Sequence, residues 1–489
     1  MSKIAFVVTR EPHIAFGQVG LEIMGAILKQ NGVDVIGIAD TVFDPIPKIT
    51  RCEAKNLKIL EDYDPDFVGI STLTHRYQWN LKFARQIKEH IPDTSIIMGG
   101  PHPTAVPDVV AREDCVDYVC VGEGEGAILD LVTDPDRTDI PNIYPNKLRP
   151  LITDLDSLPF PDKSIWVPHV TTLKEITTYL AMSARGCPYE CRYCFNCTRM
   201  TIAEGLGPWL RYRSAESVVR EIEEAKKIYP LEFVLFQEDN LGYSIEFMRE
   251  FAPKYRDRVN LPYTGNTHPL IITEECASLF SISNCKFVML GLQSGNEELR
   301  RDVIGRHETN EQVLEAAALL HKYKISFSID HLFGLPGGDT LTIAQESARL
   351  YNEMRPFTIN TYRLYVLPKV PIIADLNLSE EDVEAINQGV YQEATIRATD
   401  NPNYVNFRNF FVYMPLLPKS VCEYITNRPH LIGWFGRIPE VLIWAGKGIN
   451  NMRGGNEHLV KSYLRSLPKF IRQRLSGYRG EFAKPEVPK

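Results

Sequence analysis

No run in this 489-residue sequence approaches the roughly 18 apolar residues of a membrane-spanning helix. Its opening stretch, MSKIAFVVTREPHIAFG, has neither the basic start nor the long apolar core and small-residue cleavage site of a secretory signal, so a cytoplasmic location is expected. Positive charge is not in surplus. There are 54 Lys and Arg against 62 Asp and Glu, a net charge of -8, which argues against a general nucleic-acid binder. No internal repeat or low-complexity tract stands out. What is present is the composition of a globular protein, 44% hydrophobic and 24% charged. The chain is too long for one core, since domains run to roughly 100–200 residues each, so two large domains and an appendage are expected.

The expected fold class is α/β. Over 1–140, apolar runs at Lys3–Val8, Val33–Ala39, Phe67–Ser71, Ser95–Met98 and Tyr118–Val121 alternate with amphipathic stretches such as Val19–Gln30 and Gln78–His90. Strands separated by helices imply a doubly wound, Rossmann-like parallel sheet whose ligand lies beyond the carboxyl ends of its strands. Residues 141–177, with the run Leu158-Pro159-Phe160-Pro161, read as a proline-rich linker. Over 178–372 the alternation resumes, with strands at Thr177–Ser183, Phe233–Glu238, Tyr263–Asn266, Phe287–Gly291, Ile325–Phe333 and Thr361–Val366 and helices such as Ser217–Ile228 and Gln312–Lys322. Six or so βα units predict a partial or full β/α barrel. Residues 373–489 read as a mainly helical, irregular region.

Four of the ten cysteines fall between 187 and 197, which in a reducing compartment points to metal rather than disulfides. The others (Cys52, Cys115, Cys120, Cys276, Cys285 and Cys422) are scattered and read as small buried hydrophobes. Arg185-Gly-Cys187-Pro-Tyr-Glu-Cys191-Arg-Tyr-Cys194 follows directly on a candidate strand. Three thiolates so close can wrap a small iron–sulfur cluster and leave one iron open. A zinc site is the rival, with Cys197 as a fourth ligand, but no second cysteine or histidine pair follows.

The spacing Cys-x3-Cys-x2-Cys with Tyr193 before the last cysteine resembles the radical S-adenosylmethionine (SAM) superfamily. That resemblance implies a 4Fe–4S cluster on Cys187, Cys191 and Cys194. Its open iron would bind the methionyl end of SAM, and an electron would cleave SAM to a 5′-deoxyadenosyl radical able to abstract hydrogen from an unactivated carbon. Tyr193 would then lie near the adenine. Phe236-Gln-Glu-Asp239-Asn, Gly291-Leu-Gln293-Ser294-Gly295 and Phe333-Gly-Leu-Pro336-Gly-Gly338-Asp339 follow in the family's order. They would place Asp239, Gln293 and Ser294 against SAM, although the family's usual Glu is replaced here by Gln293, whose amide could still bond hydroxyls. Arg211 and Arg213 read either as holders of the SAM carboxylate or as surface arginines, before a helix capped by Ser214 or Ser217.

The N-terminal region resembles the cobalamin (B12)-binding domain found in a subclass of these proteins. Ser71-Thr-Leu73 and, after twenty-five intervening residues, Gly99-Gly100 carry the likeness, continued by Pro101-His102-Pro103 and Gly122-Glu-Gly-Glu125. It implies that Ser71, Leu73, Gly99 and Gly100 line the cobalamin, small residues letting backbone approach it. Glu11-Pro-His13-Ile-Ala-Phe-Gly17 departs from the Asp-x-His-x-x-Gly pattern that supplies an axial histidine, so His13 is left as a ligand or a lining residue. His75 and His102 could line the same pocket or lie on the surface.

Towards the end, from Pro418 to Arg479, eleven Lys and Arg face three Glu, and Ser462–Leu475 mixes basic and apolar residues; a membrane surface or a solvated helix are the two readings. The aromatic run Tyr404–Met414 reads as pocket lining or as core. Together these features predict a cobalamin-dependent radical SAM enzyme that methylates a carbon of a small-molecule substrate, served by an electron donor such as flavodoxin or ferredoxin. A ring-forming cyclase without methyl transfer is the alternative among enzymes. From another class comes a cobalamin carrier or sensor whose cluster only transfers electrons.

Overall fold

The computed structural model describes residues 2–10, 18–41, 51–166, 176–338, 340–390 and 402–455. His13, Asp339 and Ser462–Leu475 lie outside them. Five strands, β1 (Lys3–Arg10), β2 (Asp34–Thr41), β3 (Phe67–Ser71), β4 (Ser95–Gly99) and β5 (Tyr118–Val119), form one parallel sheet in the order β2-β1-β3-β4-β5. Continuous Val/Ile-rich runs are what a sheet covered on both faces requires, and apolar clusters lie on either side of it. The order reverses at β1, so the ligand crevice opens beyond the carboxyl ends of β1 and β3.

The segment after this sheet is held by charge as well as by packing. Glu22, on the helix Val19–Gln30, is fully buried and accepts from Lys163 Nζ at 2.8 Å and Trp166 Nε1 at 2.9 Å. Trp166 fits because position 37 is glycine: a Cβ there would meet its ring at 2.4 Å.

Strands β6 (Thr178–Ala181), β9 (Phe233–Phe236), β10 (Tyr263–Thr267), β11 (Cys285–Gln293), β12 (Ser326–Phe333) and β13 (Thr358–Arg363) form a second parallel sheet in simple sequential order. Consecutive parallel neighbours joined by helices build a β/α barrel, and six strands with β6 and β13 at opposite ends of the order make it a partial one. Its helices are capped as the sequence dictates: Ser214, Ser244, Thr273, Thr309 and Thr340 each accept a first-turn N–H. A two-stranded antiparallel ribbon, β7 (Ala184–Arg185) with β8 (Arg211–Tyr212), brackets the cysteine loop.

The C-terminal part is helical over Pro402–Tyr413, Lys419–Thr426, Pro429–Phe435 and Glu440–Arg453. Tyr404, Phe407, Phe410, Phe411 and Met414 join the barrel's main apolar cluster with Phe333 and Tyr351. The aromatic run is therefore core. Cys115, Cys120, Cys276, Cys285 and Cys422 are free and buried, as expected of small hydrophobes. No described helix is long and apolar enough to cross a membrane.

Candidate functional site

The cysteine loop leaves β7 through Gly186 at φ +93, where a Cβ would stand 2.3 Å from the Trp209 carbonyl oxygen, so only glycine fits. Trp209 Nε1 donates to the Cys187 carbonyl at 3.0 Å, and the Cys194 N–H donates to the Cys191 carbonyl at 2.9 Å. From outside, the Arg192 N–H bonds the Ile304 carbonyl at 3.0 Å and the Arg192 carbonyl accepts from Ile372 N–H at 2.9 Å. Cys187 and Cys191 are buried and Cys194 is partly exposed. Burial pushes the Cys187 thiol up to about 11 and Cys194 up to about 12, with each also disfavoured by its fellow cysteines, so the three converge. Cys191 is likewise raised by burial, against the pull of Arg306.

Donors are aimed at these sulfurs. Asn240 Nδ2 lies 3.0 Å from Cys187 Sγ and Arg306 Nη1 3.9 Å from Cys191 Sγ. A pocket of three thiols with N–H groups pointing in fits a cluster, because iron deprotonates a coordinating thiol and the donors stabilise the resulting charge. Among the described residues no three His, Cys, Asp or Glu side chains stand tightly enough together to hold a single ion; the three thiols are neighbours that do not close to that distance. Cys197 sits inside the helix Phe195–Ile202, with Glu190, Cys191 and Arg192 near it.

Beyond β9, Glu238 is buried and accepts from the Ser183 hydroxyl and N–H; burial pushes it up to about 7. Asp239 beside it is raised by burial, an effect opposed by the Asn196 amide and by Arg199. Gln293 ends β11 at φ +73, just past a register shift, a conformation that non-glycine residues adopt at some cost. The Ser294 hydroxyl accepts from Asn296 N–H at 3.2 Å, which leaves its own O–H to donate. Tyr193 packs on the apolar cluster that contains Leu332, Leu335 and Leu364.

Sequence reasoning missed a charged network behind these groups. Arg306 bonds Glu308 at 2.9 Å and the Gly291 carbonyl, and Glu308 also meets His268 at 3.4 Å. Burial works against the Glu308 carboxylate, but the His268 hydrogen bond and the Arg306 charge hold it down at about 2. His268 stacks on Tyr189 of the cysteine loop at 4.0 Å. Asp330 stands in register with Gly291 and Asn360, accepts from Asn360 at 3.0 Å and is pushed by burial up to about 6. Nothing local in the sequence marks Arg306, whose sulfur partner lies 115 residues earlier. Arg211 and Arg213 prove not to be surface residues: Arg211 pairs with Glu123 through its Nη1, and Arg213 pairs with Glu221 and Ser217.

On the first sheet, Ser71 ends β3 and Gly99 ends β4. The Thr72 N–H donates to the Gly99 carbonyl at 2.8 Å and the His102 N–H to the Thr72 carbonyl at 3.1 Å. Gly100 takes φ +101, and a Cβ on it would meet Thr72 N at 2.9 Å and Thr72 O at 3.0 Å. The result is a floor of small residues from which Leu73 projects, 41% exposed, and it suits a flat, largely apolar group such as a corrin. His102 is not a surface residue. It is fully buried against Tyr77 at 4.1 Å, and burial pushes it down to about 4.

The two carboxyl edges face each other. The helix Pro101–Ala105, which starts from Gly100, packs against the helix that starts from Cys194, with Phe195 set among Ala105, Val106 and Val109. His75 meets Tyr365 edge-on at 6.0 Å, and Gln78 donates to the Gln388 carbonyl at 2.6 Å. Arg185, two residues before Cys187, bonds Glu123 at 3.0 Å as well as Glu125.

Residues 182–343 match the family model of the Radical SAM superfamily, and residues 7–132 match that of the B12 binding domain. The chain is a radical SAM protein with an N-terminal B12-binding domain. An uncharacterized methyltransferase of Pyrococcus horikoshii is 23% identical over 296 residues, 57% of this chain and 62% of that protein. The anaerobic magnesium-protoporphyrin IX monomethyl ester cyclase of Rubrivivax gelatinosus is 24% identical over 354 residues, 66% of this chain and 60% of that one. The radical SAM protein thus spans about three-fifths of the length of these curated relatives. Its fold matches that of the radical SAM methyltransferase TsrM from Kitasatospora setae, with tryptophan and a SAM analogue bound (TM-score 0.62, 16% identity, 80% of this chain and 83% of that one). It also matches the cobalamin-dependent radical enzyme OxsB with aqua-cobalamin bound (TM-score 0.61, 13% identity, 96% and 81%). Its cofactors are a 4Fe–4S cluster, SAM and cobalamin.

Proposed function

We propose that this chain is a cobalamin-dependent radical SAM methyltransferase acting on a carbon of a small-molecule substrate. When bound, the cluster supplies the electron that cleaves SAM, and cobalamin supplies the carrier for the methyl group. The observation that carries the reading is the apposition of the two carboxyl edges, which puts the small-residue floor at Gly99 and Gly100 next to the helix running from Cys194. Only an enzyme that uses both groups in one reaction needs that arrangement; a carrier or sensor does not.

On this reading Cys187, Cys191 and Cys194 hold the cluster, and Asn240 and Arg306 stabilise the charge on their sulfurs. Asp239 and its neighbour Glu238 meet the amino group of SAM, Gln293 and the free O–H of Ser294 bond its hydroxyls, and Tyr193 walls the adenine. Ser71, Leu73, Gly99 and Gly100 carry the cobalamin. A second reading, ring formation without methyl transfer, is favoured by the likeness to the Rubrivivax cyclase. Cytoplasmic location and a flavodoxin- or ferredoxin-like electron donor belong to the proposal as well.

The test is anaerobic reconstitution with iron, sulfide and hydroxocobalamin, followed by metal counting and turnover with SAM. Iron for one cluster, stoichiometric cobalt, 5′-deoxyadenosine and product heavier by one methylene would bear the proposal out. Product without that gain would favour the cyclase, and intact SAM would leave only a carrier or sensor.

A further inference from the structure

A cavity lies at the seam, where the turn after β5 and the segment 142–151 meet the helix Phe195–Ile202. Its walls include Thr104, Glu123, Asn142, Arg149, Arg199 and Arg211, so three guanidinium groups face one carboxylate. That carboxylate is already shared between Arg185 and Arg211. Arg211 is 4% exposed, and its Nη2 is buried without a partner. The Arg149 Nε is buried without one too, while its Nη2 pairs with Asp130 at 3.1 Å and donates to the Pro141 carbonyl at 3.2 Å. Arg149 lies across Gly126, where a Cβ would stand 1.9 Å from its Nη1, and so sits over the first turn of the helix Glu125–Thr133. Arg199 spreads over the Trp209 ring at 5.3 Å, and burial holds its guanidinium below its ordinary value; the Asp239 and Glu123 carboxylates oppose that effect, and Arg185 and Arg211 add to it.

Buried N–H donors left unpaired are costly, and arginines gathered in one cavity repel each other. Both costs disappear when a planar or tetrahedral oxyanion enters, since guanidinium matches phosphate geometry bidentately. We propose that this seam cavity is a phosphate-ester site, served by Arg149, Arg199 and Arg211. Two sources share the chemistry: the phosphodiester of the cobalamin nucleotide loop, which rests on the cobalamin reading above, and a phosphorylated small molecule, which does not. One wall of the cavity is Trp209, whose Nε1 bonds the Cys187 carbonyl, so occupancy there also braces the cluster loop.

The experiment titrates the full-length protein with cobalamin, with cobinamide (which lacks the phosphodiester) and with inorganic phosphate. It compares wild type with Arg199→Gln, Arg149→Gln and the conservative Arg199→Lys, all checked for native melting. Wild type should prefer cobalamin to cobinamide by at least about tenfold, equivalent to about 1.4 kcal/mol. Either Gln variant should close that gap while leaving cobinamide binding unchanged, and Arg199→Lys should restore part of it. Phosphate should bind the corrinoid-free protein and be displaced by cobalamin but not by cobinamide. If phosphate binds equally with cobalamin in place, and only when the arginines are present, the occupant is a free phosphate ester and the site stands. A chain that binds no corrinoid yet binds phosphate through these arginines would overturn the cobalamin reading alone. Equal affinity for both corrinoids, with no arginine-dependent phosphate binding, would overturn the proposal.

Discussion

Gly100→Ala is the sharpest test of where the cobalamin rests. Two terms follow from the backbone. At φ +101 a side chain costs about 1–3 kcal/mol. The new Cβ would also stand 2.9 Å from Thr72 N and 3.0 Å from Thr72 O, atoms that cannot rotate away. Relief requires parting the β3 and β4 loops, against the Thr72–Gly99 and His102–Thr72 bonds of 2.8 and 3.1 Å. Each of those is worth about 0.5–1.5 kcal/mol. The sum, about 2–6 kcal/mol, is at most comparable with an ordinary folding stability of about 5–15 kcal/mol, so the chain should fold with a lowered melting point. Its cobalamin affinity, followed by absorbance titration, should fall by more than about tenfold. Cluster iron should be unchanged. Gly99→Ala is the control for the loss of stability alone, because a Cβ there makes only an ordinary contact of 3.4 Å with Cys120. A Gly100→Ala protein that binds cobalamin with wild-type affinity would refute the placement.

Three other perturbations read different parts of the molecule. Asn240→Leu removes the N–H aimed at Cys187 Sγ, which favours the more negative reduced cluster, so the potential should drop, by about 40 mV for each ~1 kcal/mol of difference between the two states; a potential unmoved in an EPR-monitored titration would remove Asn240 from the site. Glu238 is pushed up to about 7, above its ordinary value near 4.5, so its contribution to stability is full at low pH and is lost as pH rises through 7. Glu238→Gln should therefore gain on wild type by up to about 3 kcal/mol between pH 4.5 and 7, read as a widening gap in denaturant midpoints; a constant gap would contradict the assignment. Lys163→Met strands the buried Glu22 and should cost about 3–5 kcal/mol in chemical denaturation; a loss under 1 kcal/mol would refute the claim that this ion pair holds the segment.

The parts of this architecture that local pattern dictates were readable before the structure. Phe67–Ser71 is β3 to the residue, because an apolar run between Asp66 and Thr72 has no other use in a sheet covered on both faces. The last barrel strand runs over Thr358–Arg363 instead of Thr361–Val366, because Leu364 and Val366 pack into a separate apolar cluster beyond the strand end. The ribbon of β7 and β8 spans two residues on each side, too short to leave any periodicity. The cysteine spacing is a local signal, and so are Ser71 and the paired glycines. Arg211, Arg306, Glu308 and His102 are not: Arg211 is fixed by Glu123, 88 residues away, and His102 by Tyr77 and Thr74.

That division has a physical reason. A backbone turn that must approach a cofactor is written in the residues of the turn itself, so glycine and cysteine positions survive as motifs. A charge that serves the same cofactor must be compensated wherever the fold brings a partner. The cysteine loop illustrates this, since each of its supports comes from a different element: Asn240 after β9, His268 after β10, Arg306 after β11, and the Ile372 N–H from the segment beyond β13. The cobalamin domain adds a further one through Glu123 and Glu125 on Arg185. The loop is therefore held only when both sheets are folded and docked. It follows that a separately expressed second sheet would keep its three cysteines but lose the ion pairs that fix the strand leading into them. Its capacity to hold iron should then fall even though no ligand has been removed.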